Sequence, residues 1–258
     1  MDRRQLLSLG YKTLGALLVL YALVWGLLSP LPQLNEGILG QSSRNIFYHV
    51  PMWFATIVLM GISLYHSIRL LRLLDPDLTP SVSPLAVDIQ AREAAKIGVI
   101  FNILGLGTGM VWSRVAWAPQ SGGAEFSSWW VWDPIQVCAL IALLIYLAYF
   151  LLRSSFAEPS QRARVAAVYN IFAFAALIPL FFIIPRMYEG LHPTAGKGSF
   201  VFDKSQISNE FRAVLYPGML GFILLGIWMF ELRSRIELAA RRMQERQSLH
   251  EFNRSAAS

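Results

Sequence analysis

The sequence predicts an all-α protein, a polytopic membrane bundle of six transmembrane helices. Three observations predict it. Hydrophobic residues make up 55% and charged residues 15% of the 258, with a mean hydropathy of +0.47; soluble domains carry about a quarter charged residues. Six apolar stretches each approach the length that crosses a bilayer as a helix. Lysine and arginine crowd into alternate connecting segments, as in a chain threaded back and forth through a membrane. By length this is one membrane domain, 1–232, with a polar helical tail, 233–258.

The spans are taken in order: Thr13–Leu28, Phe47–Ile68, Ile97–Trp112, Ile135–Leu152, Val165–Pro185 and Ala213–Phe230. Arg3 and Arg4 precede the first, in the manner of a signal peptide. The first is followed by Ser29-Pro30-Leu31-Pro32 without a small-residue cleavage site, so it is read as a retained anchor. In the second span Pro51 suits a first helical turn, where its missing N–H costs nothing, so His49 is expected at or just before the helix start. Asp75–Pro84 is rich in Pro and Asp and reads as irregular. Val87–Lys96 is helical in pattern and leads into the third span, whose Gly105, Gly107 and Gly109 allow close helix approach. Pro134 starts the fourth helix. Pro179 and Pro185 lie in the fifth, which is expected to stop near Pro185. Glu231–Gln247 is helical in composition, with Glu237 and Arg241 one turn apart, and extends the sixth span.

With the N-terminus inside, the outer segments hold Arg44, Arg114, Arg186, Lys197, Lys204 and Arg212, and the other basic residues fall inside. That bias predicts cytoplasmic N- and C-termini. It also accounts for much of the net charge of +6 without a nucleic-acid partner. The one cysteine, Cys138, excludes an internal disulfide and a cysteine-based metal site. No Cys-x-x-Cys-His is present, so the chain is not itself a c-type cytochrome.

The outer loops are then about 29–46, 113–134 and 186–212. The second contains Phe126-Ser-Ser-Trp-Trp-Val-Trp-Asp-Pro134, in which Trp129, Trp130 and Trp132 precede Asp133. Such a cluster serves either as an aromatic belt at the lipid interface or as a platform for a flat apolar ligand. Of four histidines, His250 sits in the tail and His66 near the inner end of the second span. His49 and His192 flank the tryptophan stretch from the neighbouring outer loops. His192 precedes Pro193, which holds it extended. Imidazole ligates haem iron, and arginine binds carboxylates such as the haem propionates. Arg44 lies nearest His49 in sequence, with Arg114 and Arg186 as further candidates; Trp112 and Trp117 would supplement the platform. Asp133 has two readings, a cap for the fourth helix and a direct contact to the ligand.

Trp129-Trp130-Val131-Trp132-Asp133 resembles the WWD motif of the haem-handling proteins of cytochrome c biogenesis. His49-Val50-Pro51 and His192-Pro193 resemble the histidine segments that flank it. Six spans and this length are similar to the CcmC branch of that family, from about Leu14 to Leu232. The resemblance implies that His49 and His192 are axial ligands to haem b and that Trp129, Trp130, Trp132 and Asp133 contact it on the periplasmic face of a bacterial inner membrane. It implies transfer of haem to the chaperone CcmE, alongside CcmA, CcmB and CcmD, with lipid as the other partner and no enzymatic step of its own. The sequence departs from the motif at Phe126-Ser127, where the family has Trp-Gly. A further departure is Ile135-Gln136, where a basic residue is usual, and 119–125 reads as extra loop. The alternatives are a haem-translocating channel, to which His66 would contribute, and a membrane-embedded electron-transfer cytochrome. A synthetase that attaches haem directly is disfavoured by the small outer loops.

Overall fold

In a computed structural model, residues 2–28, 37–75, 82–120, 126–193, 200–202 and 207–256 are described. The expectations for Ser29-Pro30-Leu31-Pro32, most of the Asp75–Pro84 loop, 121–125 of the extra loop, Lys197 and Lys204 lie outside them. Among the described residues all regular structure is helical. Six segments are long and apolar enough to cross a membrane: Gln5–Leu28, Gly40–Leu73, Pro84–Ala116, Pro134–Ser154, Pro159–Met187 and Asn209–Ser255. The helices are α1 (Arg3–Leu28), α2 (Gly37–Ser42), α3 (Ile46–Leu73), α4 (Pro84–Ala116), α5 (Pro134–Ser154), α6 (Pro159–Ile178), α7 (Ile184–Met187) and α8 (Asn209–Ala256).

Local chemistry sets several ends. Helices α4, α5 and α6 each start on a proline, which lacks only an N–H that has no intrahelical partner there. Before α5 the Asp133 side chain accepts from Ile135 N, and before α6 Glu158 accepts from Ser160 N and Gln161 N. These caps satisfy otherwise orphaned donors. The three backbone and hydroxyl bonds also hold the Glu158 carboxyl below its ordinary pKa.

Helix α3 starts earlier than the sequence predicts. A 3-10 turn, Ser43–Asn45, joins α2 to α3, so Pro51 lies inside the helix. The ring removes the N–H that would have met the Phe47 carbonyl. Gly218 of α8 approaches there; a side chain on it would lie 3.8 Å from that carbonyl and 3.0 Å from Ala22. His49 is thereby drawn inside the helical span. The fifth span ends at Met187, near Pro185 as expected, and carries both prolines within it. A π-helical turn, Pro179–Ile183, lets the Ile184 N–H reach back to the Pro179 carbonyl, and the helix passes its prolines through to Met187. Such single π turns absorb a break in the regular ladder.

Helix α3 is central and packs against α4, α6 and α8, while α1 packs mainly on α8. Neighbouring spans run antiparallel. Met60 meets Gly98 and Trp53 meets Gly105 between α3 and α4, and Leu18 and Ala22 meet Gly221 and Gly218 between α1 and α8. The N-terminal end of α1 and the C-terminal half of α8 therefore share one end of the bundle, where Lys12 pairs with Glu231. At that end the fully buried Glu93 meets Arg92, Lys96 and Arg233, and Arg153 makes a two-pronged pair with Asp88 at 2.8 and 2.6 Å. Buried ions persist only when paired in this way. His66 is buried there against Phe230. The other end carries His49, His192 and the tryptophan loop.

Candidate functional site

A cavity of about 460 Å³ opens between α3, α4, α5 and the fifth span at the His49 end. That is within the range of small-molecule sites. His49, Trp53, Trp112, Trp117, Arg186 and His192 are on its wall, with Phe181, Leu180 and Ile135 among the apolar lining. The fold thus brings together His49 of α3 and His192 of the loop after α7, the two histidines singled out in the sequence, from positions far apart in the chain. Their ring centroids are 6.3 Å apart and their planes tilt by 47°. Two imidazoles on opposite sides of one metal, each nitrogen about 2 Å from it, have centroids about 6 Å apart. The spacing fits a haem iron held between them.

The His49 ring is oriented by its neighbours. Nδ1 lies 2.9 Å from the Gly105 carbonyl oxygen and 3.2 Å from the Thr108 hydroxyl. Trp53, one turn along α3, donates its indole N–H to Nε2 at 3.2 Å. An indole nitrogen only donates and a carbonyl only accepts. The assignment follows that Nδ1 carries the proton and Nε2 presents its lone pair. Metal-binding histidines are commonly held so, with the remote N–H on a backbone carbonyl. Glycines make the room: a side chain on Gly109 would stand 2.8 Å from His49 Cε1, and one on Gly105 would stand 2.9 Å from the Trp53 ring. Gly107 meets nothing within 4 Å.

His192 reaches the cavity from the loop after α7, its ring 6.4 Å from Trp112 in an edge-on contact. Burial lowers its pKa to about 4, against the opposing pull of the Asp133 charge, so the imidazole is neutral at pH 7. Asp133, itself buried, fixes this segment. One carboxylate oxygen accepts from Ile135 N at 2.9 Å; the other accepts from Leu191 N at 2.8 Å and from His192 N at 3.4 Å. The acid at the end of the tryptophan stretch caps α5 and anchors the backbone of His192 together.

The tryptophan stretch sits outside the cavity lining. Trp132 is 79% and Trp129 56% exposed. Trp130 meets Trp132 edge to face at 5.8 Å, and the Arg114 guanidinium lies 4.3 Å from the Trp129 ring centroid. Trp117 is buried on the cavity wall, edge-on to Trp112. The loop is pinned below by Ser127. Its N–H bonds the Arg114 carbonyl and its hydroxyl the Ser113 carbonyl, each at 2.9 Å; the first serves a carbonyl in the last turn of α4, and the second joins the Trp117 N–H already on Ser113. Arg44 also lies outside the lining: Nη1 donates to the Gly26 carbonyl at 3.0 Å and Nε to Gln41 at 2.7 Å. Among the described residues the basic side chain on the wall is Arg186, which donates to the Phe182 carbonyl. Sequence reasoning missed Trp53, Thr108 and the roles of Gly105 and Gly109. The four-residue step from His49 to Trp53 was a usable signal, since it puts both on one helical face.

Fold and site together define a class: a six-span helical membrane protein with a paired-histidine cavity near one end and an exposed tryptophan loop at that same end. A family model described as CcmC, Heme exporter protein C, matches residues 4–249. The Heme exporter protein C of Rhodobacter capsulatus is 30% identical over 237 residues, covering 88% of this chain and 85% of that one. That of Paracoccus denitrificans is 28% identical over 221 residues, covering 86% and 82%. That of Escherichia coli K12 is 28% identical over 196 residues, covering 76% and 70%. The chain belongs to the CcmC family, haem-handling membrane proteins of cytochrome c maturation.

Proposed function

We propose that the chain binds haem b in the His49–His192 cavity and passes it to the chaperone CcmE. The observation that carries this is the pair of imidazoles 6.3 Å apart across an apolar cavity, with His49 held so that one nitrogen faces away from its carbonyl partner. Trp112, Trp117 and Trp53 supply flat apolar surface for the macrocycle. Trp129, Trp130 and Trp132 lie outside the lining, where they suit contact with an exposed haem edge and with the chaperone. Asp133 acts on haem through His192. Arg186 at the wall is the better placed candidate for a propionate, with Arg114 next; Arg44 would first have to leave Gly26 and Gln41.

The basic-residue bias favours a site facing the periplasm of a bacterial inner membrane, with both termini in the cytoplasm and 233–258 as a cytoplasmic tail. CcmA, CcmB and CcmD are the proposed co-subunits. The chain's own work is to bind, orient and release; ligation on both faces supplies redox protection while haem is held.

The test is the absorption spectrum of the purified protein. His49→Ala and His192→Ala are each expected to lose most bound haem or its six-coordinate spectrum, and free imidazole to restore that spectrum in part. His66→Ala and His250→Ala are expected to match wild type. Equal haem content and spectra in all four would remove the ligand assignment.

A further inference from the structure

The Nε2 atom of His49 is already engaged. Trp53 donates its indole N–H to it at 3.2 Å, while Nδ1 is committed to Gly105 and Thr108. An imidazole nitrogen has one lone pair in the ring plane, and it serves a proton donor or a metal, not both. Trp53 has no other donor to offer, and an indole N–H in an apolar cavity is costly to leave unmet. The Trp53 ring is wedged between Phe181, 5.6 Å away and edge-on, and the backbone at Gly105, where even a Cβ would crowd it at 2.9 Å. Its remaining side borders the cavity.

We infer that Trp53 is a placeholder for the iron: its N–H holds His49 Nε2 in the empty site and competes with haem for the same lone pair. This rests on the haem-site reading above. Two consequences follow for a protein that must give haem up. The competing bond weakens net binding, because haem must displace it. It also stabilises the state left after transfer, recapturing the imidazole in the correct tautomer as the iron leaves. Trp53 is thus a positioning residue that tunes release, acting through His49. A bond of ordinary net strength corresponds to roughly two- to tenfold in affinity.

Trp53→Phe tests it, since phenylalanine keeps an aromatic ring against Phe181 and Gly105 and loses only the donor and some area. Haem transfer to apomyoglobin, followed by absorbance, gives the release rate for wild type and Trp53→Phe. The expected result is two- to tenfold slower release from Trp53→Phe; in the His49→Ala background, where little haem is held, residual haem content is compared instead and is expected to be equal with and without Trp53→Phe. Release as fast as wild type or faster would overturn the placeholder. A second readout does not depend on transfer. With 15N-indole-labelled tryptophan, the Trp53 N–H resonance of haem-free protein should sit at a hydrogen-bonded position. It should move on His49→Ala and on loading with gallium protoporphyrin IX. An unmoved resonance also overturns the inference. If instead His49→Ala leaves the haem spectrum unchanged, the haem-site reading itself has failed, which the other arms distinguish.

Discussion

The carboxylate of Asp133 shows at the scale of one residue why helix capping and ligand binding are not rival roles. It has two oxygens and serves three N–H groups, one on α5 and two on the His192 segment. Asparagine keeps one acceptor and turns the other position into a donor, so either the cap or the His192 anchor meets an NH2 group. A buried donor left unmet costs about 1–3 kcal/mol. Asp133→Asn is therefore expected to stay folded and inserted but to lower haem affinity by roughly tenfold or more, read as haem per protein in one detergent. A wild-type value would reduce Asp133 to a cap that tolerates the exchange.

His192 gives a second expectation at this scale. Its folded pKa, lowered to about 4 by burial, lies below the unfolded value of about 6.5. Between those values the unfolded chain takes up more protons, so this group's contribution to stability is full above about pH 6.5 and is lost as pH falls towards 4. Neutral imidazole is also the form that ligates. Haem should stay bound through pH 5.5 and be released nearer pH 4, with the loss followed at the main haem absorption band. Release centred on pH 6.5 would show an imidazole as open to protons as one in water.

Among the elements, α4 decides the site by what it lacks. Its three alternate glycines are equivalent by composition but not by direction, since successive residues on a helix point about 100° apart. Gly105 and Gly109 face Trp53 and His49, and Gly107 faces open space. Gly109→Ala would drive a methyl group into the His49 ring, and overpacking of this kind costs about 1–3 kcal/mol. The expected outcome is lost or altered haem ligation for Gly109→Ala and wild-type spectra for Gly107→Ala, whose helix gains from alanine's higher propensity. Identical spectra in both would mean that α3 and α4 can part without disturbing His49. The π turn of the fifth span works in a similar way. By passing Pro179 rather than stopping at it, the helix places Phe181, Pro185 and Arg186 on the cavity wall.

Across the whole molecule, two ends with different chemistry are held by different forces. The His49 end is apolar and open around a cavity. The opposite end is laced by buried ions: Asp88 with Arg153 joins α4 to α5, and Glu93 with Arg233 joins α4 to α8. Removing one partner of a buried pair leaves an uncompensated charge and costs about 3–5 kcal/mol. Asp88→Asn should therefore lower the thermal unfolding midpoint in detergent markedly while haem spectra below that midpoint stay as in wild type. A change in haem ligation at temperatures where the protein is folded would instead show the two ends to be coupled through α4.

Six spans, their order and the alternating basic segments were legible in the sequence because each depends on local composition and on the thickness of a bilayer. The proline starts of α4, α5 and α6 and the Asp133 cap were equally local. His49 and His192 stood out because their neighbours in sequence, Pro51 and Pro193, and the tryptophans between them made a pattern. The start of α3 was misplaced because Pro51 is tolerated inside a helix once α8 packs over the broken ladder, and no local rule contains α8. For the same reason, only the tertiary structure decided which aromatics line the cavity: Trp53, Trp112 and Trp117 rather than the conspicuous Trp129, Trp130 and Trp132. Residue type marks a side chain as able to cover a flat ligand, but direction depends on helix phase and on the neighbour that fills or vacates the facing groove. Gly105 and Gly109 vacate it here, and that is settled by the register between α3 and α4.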